Sequence, residues 1–253
     1  MIDVTQQISA VRRAVGTRAL EAGQARTVTI SQAYAADIWQ VWDACTNPER
    51  IPRWFLPVTG DLRPGGRYQL EGNASGTITS CDPPKGFTAT WEFGNDVSWI
   101  EVRLSSEADG RTRFEIEHIA HVDDERWAQF GPGAVGVGWD MALIGLETHL
   151  SSGRAVDRPE NAAWAASAEG AQFVALSSQQ WCQASISAGT DQAAAQAAAG
   201  RTAAFYGASG PDKSHGADKP AGTDQPAGTD QPAGADKPAG ADKPAGADGP
   251  SAA

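Results

Sequence analysis

The sequence predicts an α+β fold: a curved antiparallel sheet wrapped on one long helix, followed by an alanine-rich helical extension and a disordered tail. Three observations predict it. Residues 135–150, VGVGWDMALIGLETHL, carry an apolar stripe at helical spacing. Before them, between residues 26 and 120, five or six segments alternate apolar and polar residues with period two and are separated by short Gly, Pro and Asp turns. From Gly216 the chain repeats GADKPA or a near variant every six residues, with no large apolar side chain to bury.

In order, residues 5–22 (TQQISAVRRAVGTRALEA) place Ile8, Val11, Val15 and Ala19 at helical spacing behind Thr5 as a cap, which predicts an amphipathic helix or arm over 1–24. Arg26 to Ser31 alternates and reads as the first strand. In AADIWQVWDACT, Ile38, Trp42 and Cys45 share a helical face with Trp39 beside them, until Asn47-Pro48 breaks the pattern. PERIPRWF makes a second short helix, ended by Pro57. Strands follow in GDLRPGGRYQL, GTITSC, FTATWEF, Ser98 to Ser105 and RTRFEIEHIA. Alternation turns Phe87, Ala89 and Trp91 one way, then Ile100, Val102 and Leu104, then Phe114, Ile116 and His118.

On the long helix, Ala142, Val135, Leu146, Trp139, Leu150 and Leu143 fall within an arc of roughly 100° and form the core stripe. Asp140, Glu147 and Ser151 fall on the far side, expected to face water. Gly138 and Gly145 flank Met141 on a third face, where each weakens the helix by about 1 kcal/mol relative to alanine. Something therefore approaches the backbone there, a strand of the sheet or a bound molecule. Residues 131–136, GPGAVG, match GxGxxG formally, but the preceding DERWAQF is helix-like rather than a strand, so a dinucleotide site is not expected. A flexible loop gating a cavity is. Beyond Pro159, two alanine-rich helices, 160–188 and 191–205, are anchored by Trp164, Phe173, Leu176, Trp181 and Ile186.

Composition excludes several classes. The formal charge is −11, and the tail accounts for −3 of it through seven Asp against four Lys. The acidic remainder, with Lys85 as its only lysine, is unsuited to nucleic acid or to an anionic membrane surface. Three scattered cysteines, Cys45, Cys81 and Cys182, do not make a disulfide framework and fit a reducing cytoplasm. No apolar run reaches the length of a signal peptide core or a membrane span. GxSxG, P-loop, HExxH and Cys-x-x-Cys motifs are absent from the sequence. His118 and His121 lie three apart on a strand and point to opposite faces, so no metal site is expected, nor any cofactor.

The segments NPERIPRWF, GDLRPGGRYQLEG, ATWEF, SWIEVRLSSEADGRTRFEIEHIA and GVGWDMALIGLETHL resemble the homologues of the activator of the heat-shock-protein-90 ATPase. These belong to the SRPBCC superfamily, whose helix-grip fold is shared with START and birch-pollen-allergen proteins. The resemblance covers about 26–150, inside an expected domain at 25–152; the extension (153–209) and the tail (210–253) lie outside the family's pattern. It implies a cavity between sheet and long helix. The residues expected to line it as ligand-binding groups are Trp54, Phe55, Tyr68, Leu70, Trp91, Val102, Phe114, Ile116, His118, Trp139 and Leu143, with His118 as its polar handle. No catalytic residue is assigned. Non-catalytic binding of a small hydrophobic or aromatic molecule is the first expectation. A polyketide cyclase or aromatase-like enzyme using His118, Tyr68 and Glu71 is a second. A co-chaperone or regulator partner, contacting proteins through 153–209, is a third.

Overall fold

The computed structural model describes residues 3–208, and the expected tail at 210–253 lies outside them. In chain order the elements are α1 (Val4–Ala10), β1 (Arg12–Leu20), β2 (Gly23–Tyr34), α2 (Ile38–Thr46), one 3-10 turn (Ile51–Arg53), β3 (Val58–Gly60), β4 (Arg67–Leu70), β5 (Ser75–Asp82), β6 (Gly86–Phe93), β7 (Asp96–Ser106) and β8 (Thr112–Ala120). They continue with α3 (Asp124–Phe130), α4 (Gly133–Ser152), α5 (Arg158–Ala165), α6 (Ala168–Ser187) and α7 (Gln192–Ala208). The strands form one antiparallel sheet of order β1-β2-β8-β7-β6-β5-β4-β3. This is the helix-grip arrangement, with α4 as the gripped helix.

The core sits where the inward residues of the central strands meet α4. Val28 and Ile30 on β2, Ile100 and Val102 on β7, and Phe114 and Ile116 on β8 join Val137, Leu143 and Leu146 of α4 in one buried cluster. Burial of Leu143 and Leu146, at 1% and 0% exposure, contributes about 1.5–3 kcal/mol each. Carboxylate and hydroxyl caps start the helices: Asp37 accepts from the backbone of Trp39 and Gln40, Asp123 from Arg126, Asp157 from Glu160 and Ser167 from Gly170.

The N-terminal segment differs from the expected helix or arm. Asp3, not Thr5, caps a helix of only seven residues, and Arg12 to Leu20 then pairs residue for residue with β2 through a turn at Glu21 and Ala22. A nine-residue ladder satisfies the backbone there, so Val15 and Ala19 belong to a strand. With β3 paired to β4 as a separate short strand, the sheet has eight strands rather than five or six. PERIPRWF yields a single 3-10 turn, and Trp39 is 59% exposed instead of packing beside its neighbours. The extension forms three helices, because Ser167 caps a new one after α5.

Two expectations for α4 are also corrected. Residues 133–136 are not a loop but the first turn of the helix; Gly133 packs under Thr202, and a Cβ on Gly136 would lie 2.3 Å from the Trp181 ring. They are clamped by α6 and α7 rather than free to gate anything. Asp140 does not face water: it is 1% exposed and accepts four hydrogen bonds. Arg13 binds both its oxygens, at 2.6 and 3.0 Å, while Ser177 Oγ and Trp181 Nε1 donate at 2.7 and 2.9 Å. At Asp140 the polar side of α4 is thus covered by β1 and α6 and the carboxylate is matched to a buried guanidinium, whereas Glu147 is half-buried and Ser151, as expected, exposed.

The backbone approach expected at Gly145 is real, but neither a strand nor a bound molecule makes it. A Cβ there would lie 2.1 Å from the Trp54 carbonyl oxygen, so the segment after the 3-10 turn sits directly on the helix. At Gly138 the neighbour is the Tyr206 hydroxyl of α7. Among the described residues no helix is long and apolar enough to cross a membrane.

Candidate functional site

Between the concave sheet, α2, the Trp54–Leu62 segment and α4 lies a hollow of about 130 Å³. Strand alternation supplies its walls: Val102 from β7, Phe114 and Ile116 from β8, and Tyr68 and Leu70 from β4 all point inward and are buried. At the rim, Trp54, Phe55, Trp91 and Trp139 are half-buried and border the same space. These nine expected residues are brought together.

The rim is a continuous set of rings. Trp54 stacks on Phe55 at 5.4 Å between centroids, Phe55 on Trp139 at 6.2 Å, and Trp139 meets Trp91 at 5.1 Å and 59°. Such offset and tilted geometries are the favourable ones for aromatic pairs. The placement follows from local structure: Trp54 is fixed by its indole N–H, which donates to the Ala44 carbonyl at the end of α2 at 2.8 Å, and by the contact of its own carbonyl with Gly145.

His118 and Leu143, the other two expected residues, do not border the hollow. Leu143 is one turn beyond Trp139 and is spent on the core. His118 is 6% exposed and packs against both Trp91 and Trp139. Trp139 Nε1 can only donate, so His118 Nδ1 is the acceptor at 3.2 Å and Nε2 carries the hydrogen. That hydrogen is donated to Ser98 Oγ at 2.9 Å, and Ser98 donates on to the Trp91 carbonyl at 3.0 Å. Burial pushes the His118 pKa down to about 4, so the ring is neutral at physiological pH. Both nitrogens are committed to holding the two tryptophans, which corrects the expectation of a free polar handle.

The remaining polar groups are similarly occupied. Tyr68 donates its hydroxyl to the Thr90 carbonyl at 2.7 Å, and burial raises its pKa. Thr46 donates to the Trp42 carbonyl at 2.8 Å. Glu71, the third group of an acid-base reading, is an exposed partner of Arg158 at 3.2 Å and does not border the hollow. His118, Tyr68 and Glu71 therefore do not converge on a common point. Cys45 and Cys81 do border the space as thiols, with burial pushing Cys45 up to about 12. A thiol so far from its thiolate is a poor nucleophile.

Several lining residues were not singled out from the sequence. Phe87, Ala89 and Ile100 lie on faces that strand alternation already turns inward, so the signal for them was present. Ile51, Val58 and Leu62 come from a segment with no periodicity, and only its docking under α4 brings them in.

The family model described as Activator of Hsp90 ATPase homolog 1-like protein matches residues 35–151. Among solved structures, the crystal structure of CalU16 from Micromonospora echinospora is 35% identical with a TM-score of 0.55, over 72% of this chain and 99% of that one. The solution NMR structure of CalU16 is 37% identical with a TM-score of 0.58, over 71% and 97%. Both cover more of this chain than the family match does. Protein MLL2253 from Mesorhizobium loti is 22% identical with a TM-score of 0.44, over 49% and 95%. Comparison with curated proteins gives no match.

Proposed function

Since the chain belongs to the family of Activator of Hsp90 ATPase homolog 1-like proteins, within the SRPBCC superfamily, we propose that it binds a small hydrophobic or aromatic molecule between sheet and long helix, without covalent chemistry. The observation that carries this reading is the ring set Trp54, Phe55, Trp139 and Trp91 bordering an apolar hollow. Ligand sites are concave, mainly apolar and aromatic, and polar at few points. An apolar cavity of about 150 Å³ binds benzene in another protein. A hollow of about 130 Å³ therefore suits a neutral guest of one ring, with the rim aromatics stacking on it.

The occupied polar groups favour binding over reaction. A general base must have a lone pair within reach of its proton, and His118 has given its Nδ1 lone pair to Trp139. The three free thiols fit a reducing compartment such as the cytoplasm.

A thermal-shift screen of neutral one-ring aromatics tests the proposal. Hits are expected in the native chain and are lost in Trp91→Ala and Trp139→Ala; the absence of any hit in the native chain overturns it.

A further inference from the structure

A second hollow, of about 230 Å³, lies where α3, the start of α4, α6 and α7 meet. Its helical walls from α6 and α7 fall beyond the residues of the family match. Three independent features of its lining point to one ligand chemistry.

Ser178 borders it, is 2% exposed, and its Oγ has no hydrogen-bond partner among the described residues. Its neighbours on α6 are satisfied: Ser177 donates to Asp140 and Ser185 to Thr190. Buried hydroxyls ordinarily have a partner, so this one is suited to a ligand atom. Next, α4 begins at Gly133 behind Pro132, which offers no side-chain cap, and both residues border the hollow. A twenty-residue helix brings the positive end of its dipole to that point, where the Ala134 and Gly136 N–H groups donate to the Gly131 and Pro132 carbonyls and those of Gly133 and Val135 belong to the helix's open first turn. Finally, Arg26 borders the hollow, with its guanidinium 4.6 Å over the Trp127 ring. Its carboxylate partner Asp124, at 2.5 Å, is almost wholly exposed and readily exchanged.

The remaining walls are mainly apolar, five alanines including Ala195, Ala198 and Ala199 together with Trp127, Phe130 and Trp181, and no acidic side chain borders the space among the described residues. A dianion such as phosphate would leave those apolar walls without a partner. We propose that this hollow is a site for a small aliphatic monocarboxylate, its carboxylate held by Ser178, Arg26 and the start of α4, and its chain laid against the alanines of α7. The size, below the roughly 300–1,000 Å³ of drug-sized pockets, limits the ligand to a short chain. The site is independent of the aromatic hollow on the sheet.

Calorimetric titration of the full chain with hexanoate and with neutral hexanamide tests it. Hexanoate is expected to saturate, and hexanamide to bind about tenfold more weakly or less. Ser178→Ala and Arg26→Gln each weaken hexanoate about fivefold or more, and Ala199→Leu, which fills the space, abolishes it. Ser178→Ala deletes a hydroxyl with no protein partner, so its folding is not at risk. Trp91→Ala, in the other hollow, leaves hexanoate affinity unchanged. Unsaturable hexanoate, equal affinity for hexanamide, or binding that survives Ala199→Leu but is lost in Trp91→Ala overturns the proposal.

Discussion

Trp139 donates its indole N–H to Nδ1 of His118 across 3.2 Å, tying the helix over the hollow to the strand that forms its wall. The bond requires a neutral imidazole, since a proton on Nδ1 would face the indole N–H.

Stability consequently depends on pH. The unfolded chain takes up the His118 proton near pH 6.5, whereas the folded chain resists it down to about 4. The unfolded state thus binds more protons in that window, and stability is lost as pH falls from 6.5 toward 4, by about 3 kcal/mol in all. Burial lowers His149 as well, so the wild-type curve contains both. The difference between wild type and His118→Asn in urea denaturation at pH 7 and pH 4.5 isolates the His118 part: the variant loses less stability on acidification. Equal losses contradict it.

Asp140 and Arg13 form a buried, bidentate pair, with side chains 1% and 3% exposed. Removing one partner strands the other. Asp140→Asn is expected to cost about 3–5 kcal/mol, read as a lower urea midpoint. Because Asp140 also accepts from Ser177 and Trp181, replacing both partners by apolar residues leaves two donors stranded, but the double variant is expected to lose less than the sum of the two single changes, which a double-mutant cycle measures.

Gly145 admits no side chain, because its Cβ would lie 2.1 Å from a backbone oxygen that cannot rotate away. Gly145→Ala is expected to lose about 1–3 kcal/mol through overpacking, despite the higher helix propensity of alanine. It also displaces Trp54, so aromatic ligands bind more weakly. A variant as stable as wild type contradicts the close contact.

Much of this was legible in the sequence, and the exceptions share a cause. The strands from Phe87 to Ala120 and the core stripe of α4 show in local periodicity, because each buries one face against a continuous core. Nine of the eleven residues expected from that periodicity and from the resemblance border the hollow, and ten more that line it are not among those expected. Asp140 looks solvent-facing in the sequence because its partner, Arg13, lies 127 positions earlier on a strand whose apolar spacing mimics a helix. The residues 131–136 read as a loop because glycine favours one locally, whereas Thr202 and Trp181 select it for close packing. His118 was correctly turned inward by alternation, but only the fold reveals that an indole occupies its lone pair. Non-local partners decide these cases, and no window along the chain contains them.

Titration of the intrinsic tryptophan emission with nitrobenzene, a neutral one-ring quencher, in wild type and in Trp139→Ala, tests the aromatic-guest reading most directly. Saturable quenching in the wild type at micromolar concentrations, weakened about tenfold or more in the variant, is the expected result. Emission that does not change in the wild type, or that saturates identically in both, contradicts it.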